Sequence, residues 1–381
     1  MLLHFRDPAR LKTRRVQFED TYYARDSGTL EQLKQLSSSR KAIEESINGS
    51  SHLTPAIARE MAGGITSPIL QDLLKLERYI PLLENLVVCV EKVKQLKPAV
   101  IQWTIDLKFR WTSPLTRPSV TGLSGPKIFR VDDLRYELGM SLFLYAALLR
   151  ERALEVLPTD MTESATYFRR ASGVYQHMAQ EVLLPLASSL PPDRPPEATM
   201  SMATIMSIVS LAEAQAVTVR KAEEKGASGS LLAKLHYGVV QFLGDALLLL
   251  RTQIGDWNDI PEKFRKYLTI CSVLHEARSQ RYIAEDYRKA EKLGVAVGIL
   301  RHATSRVKQV RTPNEDGWKD VFRQEVDALA HLLRRCEQEN EYIWREKAYR
   351  LDELPILEGK KIVAPILYQA FGLDRDFIFV A

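Results

Sequence analysis

The chain has 381 residues, 45% of them hydrophobic and 27% charged, an ordinary globular balance that excludes wholesale disorder. The longest strongly apolar stretch, residues 140–149, stops at Arg150-Glu151-Arg152 and is far short of the roughly 18 to 20 residues a membrane span needs. A net charge of +5 is small over this length, so it permits an anionic membrane as partner and gives little support to nucleic acid.

At the start, Arg6 and Asp7 arrive before any apolar run forms, which is not how a signal peptide reads. Cys89, Cys271 and Cys336 are scattered, with no CxxC pair, and suit a reducing compartment such as the cytosol. Residues 27–47 and 69–97 carry helical patterns. Residues 101–109 alternate apolar and polar side chains, as a half-buried strand does, and residues 127–131 are the expected partner strand.

Leu134, Leu138, Leu142, Tyr145 and Leu149 then recur at helical spacing until Pro158. Asp160 reads as an N-cap with Glu163 completing a capping box, opening a helix whose stripe is Ala165, Phe168, Ser172, Tyr175 and Met178. The prolines between 191 and 196 end it. Further helices are predicted over 197–225, 231–254, 261–293, 296–310 and 317–347, with a breaker cluster at 226–230. Short connections make successive helices antiparallel neighbours, in outline a helical solenoid with a small N-terminal β-sheet. No linker divides the chain, which reads as one domain over 1–381, with helices and sheet in 1–131, a helical core in 132–350 and a C-terminal segment in 351–381.

The familiar catalytic patterns are missing. His275-Glu276 is followed by Ser279 where a zinc-protease helix needs its second histidine. No two of the seven histidines lie at i, i+3 or i+4, Gly63-Gly64 lacks the continuation of a phosphate loop, and there is no Gly-x-Ser-x-Gly. The acidic residues read as i, i+4 partners of Lys and Arg on solvated helix faces. No catalytic residue, cofactor or metal is therefore expected, and recognition by surface remains, for which stacked helices offer grooves.

An ordered set of segments resembles the Bro-one (BRO) domain of the Alix and BROX-like proteins. It comprises Ser210-Leu211-Ala212-Glu213-Ala214-Gln215-Ala216, Lys221-Ala222 and Leu231-Leu232-Ala233-Lys234-Leu235. Upstream lie Ala165-Thr166-Tyr167-Phe168-Arg169-Arg170 and Leu134-Arg135-Tyr136-Glu137-Leu138-Gly139. Downstream lie Leu300-Arg301-His302-Ala303 and Asn340-Glu341-Tyr342-Ile343-Trp344. The N-terminal region is similar to the plant BROX-like branch. The resemblance implies a mostly α, banana-shaped solenoid of antiparallel helices. It also implies a non-enzymatic adaptor, cytoplasmic and peripheral on endosomes and multivesicular bodies, that binds the C-terminal amphipathic helix of Snf-seven/CHMP-four type ESCRT-III subunits. Neither the V domain nor the proline-rich tail of larger members is expected.

Residue by residue, the resemblance places the helix-binding patch at Leu231, Leu235 and Thr218, with polar contacts at Pro158 and Thr162. Thr218 stands where the family often has an aromatic residue, Pro158 and Thr162 replace a charged pair, and Trp344 replaces a tyrosine that can be phosphorylated. Periodicity alone allows a competing reading in which Leu231 and Leu235 join Leu232, Val239, Phe242 and Ala246 in the core. A second function, a scaffold that binds anionic endosomal membrane without ESCRT contact, would use Lys263, Arg265, Lys266, Arg301 and Arg306.

Overall fold

The computed structural model describes residues 3–49, 67–96, 107–116, 127–253, 260–312, 316–370 and 376–379. Its long helices are α1 (Ser27–Gly49), α2 (Pro68–Leu96), α3 (Leu134–Val156), α4 (Met161–His177), α5 (Met200–Glu224), α6 (Gly229–Thr252), α7 (Glu262–Lys289), α8 (Leu293–Gln309) and α9 (Asp316–Glu339). Two strands, β1 (Phe109–Thr112) and β2 (Ile128–Val131), pair antiparallel with Phe109 opposite Val131 and Thr112 opposite Ile128. The strand expected over 101–109 begins only at Phe109, and its residues 101–106 lie outside the described residues.

Each helix packs on its successor from α1 to α9, and cross-contacts give the direction. Phe143 and Tyr145 of α3 meet Tyr175 and Arg170 of α4, while Ser172 and Thr162 of α4 meet Ser207 and Lys221 of α5. His236 and Ala233 of α6 meet His275 and Ser279 of α7. In every pair one number rises as the other falls, so these neighbours are antiparallel. Residues 134–150 of α3 are buried on almost every side, as a helix covered by α2, α4 and the N-terminal segment must be.

Asp160 caps α4 as the sequence suggests, but its own N–H donates to the Val156 carbonyl (2.8 Å) and not to Glu163, so the capping box is not completed. Asp160 accepts hydrogen bonds from the amides of Thr162 (2.7 Å) and Glu163 (3.1 Å). The last helix stops earlier than expected. It gives way at Asn340 to a π turn reaching Trp344, because the Asn340 amide donates to the Glu346 carbonyl (2.8 Å) and accepts from its N–H (3.0 Å), and Arg345 turns left-handed at φ 53°. Trp344, Tyr342 and Ile343 are therefore on the surface.

Polar groups tie the elements from inside. Glu137, fully buried on α3, accepts from Trp111 of β1 (2.7 Å), Tyr79 of α2 (3.1 Å) and Arg40 of α1. At the other end the chain returns to its start. Phe377 is buried, Phe379 bridges Ala24, and Arg25 N–H donates to the Ile378 carbonyl (2.9 Å).

Glu197, completely enclosed before α5, accepts from Ser113 Oγ (2.6 Å) and the Leu115 amide (3.0 Å). Burial still dominates and pushes its carboxyl up to about 7 from an ordinary 4.5. A raised acid binds its proton more tightly folded than unfolded, so stability falls as pH rises from about 4.5 to about 7. The melting temperature should drop by a few degrees across that window. Glu197→Gln should flatten that drop, and an unchanged slope in the variant would remove Glu197 as its source.

Candidate functional site

The sequence-predicted patch lies where the start of α4, the end of α5 and the start of α6 come together. The Asp160 cap holds Thr162 at the surface, and Lys221 Nζ of α5 donates to Thr162 Oγ1. Pro158 is exposed in the turn just before. Thr218, half-buried on α5, spends its hydroxyl on the Ala214 carbonyl (2.9 Å). The helix then ends in a reversal, where Gly226 at φ 69° lets the Ala227 amide reach back to the Ala222 carbonyl (3.0 Å). Ser228 caps α6, which brings Leu231 into its first turn.

The two leucines of the patch differ. Leu231 is 37% exposed, whereas Leu235 is 3% exposed and belongs to the core. The expectation of an exposed pair is therefore corrected, and Leu235 takes the competing core reading beside Leu232 and Val239. An extended strap, residues 345–370, crosses the helices and runs over α6 one turn beyond Leu231. Lys360 N–H donates to the Lys234 carbonyl (2.8 Å). Gln215 of α5 donates to both the Leu235 carbonyl (2.8 Å) and the Lys360 carbonyl (2.9 Å), and accepts from Ile362 N–H (3.0 Å).

The strap supplies what the sequence reading missed. Ile362, 44% exposed, is held at α5 by its backbone bond to Gln215, the residue that also reaches the Leu235 carbonyl of α6. Lys234 and Glu358 form an exposed ion pair at the rim (2.9 Å). A signal was available in the helical glycines. A mid-helix glycine costs roughly 1 kcal/mol against alanine, so one that persists often marks a close backbone approach. A Cβ on Gly238 would fall 2.4 Å from the Lys360 carbonyl oxygen.

The cations expected to face a membrane are mostly neutralised. Lys263 pairs with Asp7 (3.6 Å), Lys266 with Glu262 (2.8 Å), Arg301 with Glu337 (2.7 Å) and Arg306 with Glu276 (3.2 Å), while Arg265 is half-buried. Acids on the same helix, an adjacent helix or, for Lys263, the N-terminal segment take up their charge, and the free basic face expected there is not formed.

A separate cavity of about 350 Å³ opens between α5, α6 and α7. It brings together His236 and His275, far apart in sequence, with their Nδ1 atoms 3.0 Å apart. Burial depresses both imidazoles below 6.5, against Glu223 in the case of His236 and reinforced by His236 and Arg278 in the case of His275, so both are neutral at pH 7. Burial also raises the Cys271 thiol, keeping it protonated. Among the described residues no group of three or more His, Cys, Asp or Glu could hold a metal ion.

The family model for the BRO1-like domain matches residues 27–376. Mouse programmed cell death 6-interacting protein is 24% identical over 266 residues, which is 68% of this chain and 29% of that protein. Human BRO1 domain-containing protein BROX is 23% identical over 277 residues, 68% of this chain and 65% of that one. The chain thus spans under a third of the first relative and about two thirds of the second. A solved structure described as an ALIX BRO1 CHMP4C complex superposes with TM-score 0.67 at 19% identity, covering 94% of both chains. Another, reported as a structural basis for endosomal targeting by the Bro1 domain, gives 0.59 at 14% identity over 92% of this chain and 90% of that one. At such identities the likeness is one of fold: mostly helical, with the small antiparallel sheet.

Proposed function

The chain belongs to the BRO1-like domain family, and on that premise we propose that it is a non-enzymatic adaptor whose α5–α6 seam docks an amphipathic helix, that of a CHMP-four type ESCRT-III subunit at endosomal membranes. The observation that carries this reading is Leu231. It is an apolar side chain left outside at the start of α6, in the fold that one matched structure pairs with CHMP4C.

The physical requirements of helix docking are met at small scale. A docked helix needs apolar anchors at i, i+3 or i+4 spacing on its own side and a firm apolar seat on the other. Leu231 and Ile362 offer that seat, and each is held by a backbone bond, Leu231 N–H to the Ser228 cap and Ile362 N–H to Gln215. Thr162, Lys221, Lys234 and Glu358 give the polar rim that keeps water off the seat. Thr218, with its hydroxyl turned to its own helix, contributes only a methyl group, so modest affinity is expected.

Titration of a CHMP-four type C-terminal peptide tests this. Leu231→Asp should weaken binding about tenfold or more, because it places a charge where an apolar anchor lands. Ile362→Asp should act in the same direction, and neither should lower the melting temperature much, since both side chains are already partly in water. Equal affinities for wild type and Leu231→Asp would discard the seam. Failure of the wild-type chain to bind would discard the partner.

A further inference from the structure

The cavity between α5, α6 and α7 has a mixed lining. On α7, Cys271, Leu274, His275, Arg278 and Tyr282 recur at three- and four-residue steps, so one face of that helix borders it. Leu157, Val217, Val239 and Leu243 add apolar surface from the neighbouring elements.

The polar part is a hydrogen-bonded chain with two ends left over. Glu223 accepts from Tyr282 Oη (2.9 Å) and from His236 Nε2–H (3.1 Å). Both imidazoles are neutral, so each carries one proton. His236 Nδ1 therefore holds a lone pair and accepts from His275 Nδ1–H (3.0 Å). The proton count then leaves a lone pair on His275 Nε2, which makes no hydrogen bond among the described residues. His275 is only 7% exposed, and the cavity is the open space beside it. One turn on, Arg278 reaches Glu325 through Nε (3.3 Å), and its terminal nitrogens have no hydrogen-bond partner among the described residues.

Charge in the lining is already balanced. Arg278 and Arg281 are matched by Glu223 and Glu325, Glu213 by Arg150, and Arg220 by Glu224 at 3.5 Å. An ion entering would lose its hydration with no excess charge to meet it.

We propose that this cavity binds a neutral, largely apolar molecule carrying one hydroxyl group, an alcohol or a phenol. Its hydroxyl donates to His275 Nε2 and accepts from Arg278, neighbours at i, i+3, so one group satisfies both loose ends. The rest of the molecule covers the apolar lining. The volume of about 350 Å³ suits a small ligand. The site does not rest on the helix-docking reading.

The test is calorimetric titration of the full chain with 2-naphthol at pH 7, where the phenol is neutral. Binding in the micromolar range is expected. The ether 2-methoxynaphthalene has the same rings and no hydroxyl proton, and should bind about tenfold more weakly. His275→Asn keeps an amide donor in place of Nδ1–H and has no counterpart of Nε2. It should bind both compounds equally, by losing affinity for 2-naphthol alone, a change that a merely structural histidine would not produce. Should that variant misfold, Arg278→Leu, which leaves Glu325 its bond to Arg281 (2.8 Å), should weaken both compounds by about fivefold, because each has an oxygen that accepts. Leu231→Asp should bind 2-naphthol as wild type does. No binding of 2-naphthol by wild type would overturn the proposal. So would equal affinity of wild type for the two compounds, discrimination kept in His275→Asn, full affinity in Arg278→Leu, or loss of binding in Leu231→Asp.

Discussion

Replacing Glu213 with alanine is expected to lower the unfolding free energy by about 3–5 kcal/mol, the usual cost of removing one partner from a buried ion pair. Glu213 is 3% exposed on α5 and gathers groups from three other parts of the chain. Arg150 of α3 donates to it through a two-pronged guanidinium fork (2.8 Å each), Tyr267 of α7 through its hydroxyl (3.0 Å), and His4 of the N-terminal segment through Nδ1 (2.7 Å). Without the carboxylate, Arg150 would remain charged in a site where it is 1% exposed. Urea denaturation should read the loss directly, and a loss below about 1 kcal/mol would mean that the arginine finds water or another acid. Replacing Arg150 and Glu213 together with leucine should recover much of it.

The same cluster sets two pH limits. Burial pushes the Glu213 carboxyl up, but Arg150 and then His4 overcome that and hold it down at about 2, below the ordinary 4.5. Its stabilising contribution is therefore full above about 4.5 and disappears as pH falls through about 2. His4 runs the other way. Burial lowers its pKa, yet Glu213 and a bond to Glu151 leave it raised above 6.5, so its contribution is full below 6.5 and is lost as pH rises through the raised value. The Glu213→Ala variant should lack both dependences.

How much of this was legible in the sequence depended on whether the signal was local. Helix positions followed from apolar spacing and from caps such as Asp160, whose partners lie two and three residues away. Of the two strands, 127–131 was placed closely, whereas the alternation over 101–109 meets the observed β1 only at Phe109. Leu231 and Leu235 were not separable, because both lie on one helical stripe and their burial is decided by how distant segments pack around it. The meeting of His236 with His275 likewise depends on register between distant segments, which no spacing along one chain records. The helix cations misled for the same reason, since their neutralising acids sit partly on adjacent helices. The strap itself left one mark in the sequence, glycines inside otherwise continuous helices.

Gly173 on α4 is where that mark predicts most. A Cβ built there would fall 1.8 Å from the Ile366 carbonyl oxygen and 2.7 Å from its carbon, so the obstacle is backbone and cannot swing aside as a side-chain tip would. The strap is pinned at this crossing by Ile366 N–H to the Arg169 carbonyl (3.1 Å), by Arg169 Nε to the Ala364 carbonyl (2.8 Å), and beyond it by the Tyr368 hydroxyl to Glu84 (3.0 Å). Gly173→Ala gains about 1 kcal/mol of helix propensity but must lift the strap off α4. Overpacking costs of about 1–3 kcal/mol, and the loss of these bonds, should leave a net destabilisation of a few kcal/mol. Hydrogen exchange should then quicken at Ile366, and proteolysis should cut within residues 360–370. Because Ile362 lies on the same strap, the variant should also bind the ESCRT-III peptide more weakly although Leu231 is untouched. A strap that stays protected in Gly173→Ala would show that α4 yields instead, and peptide affinity unchanged in a released strap would remove Ile362 from the seat.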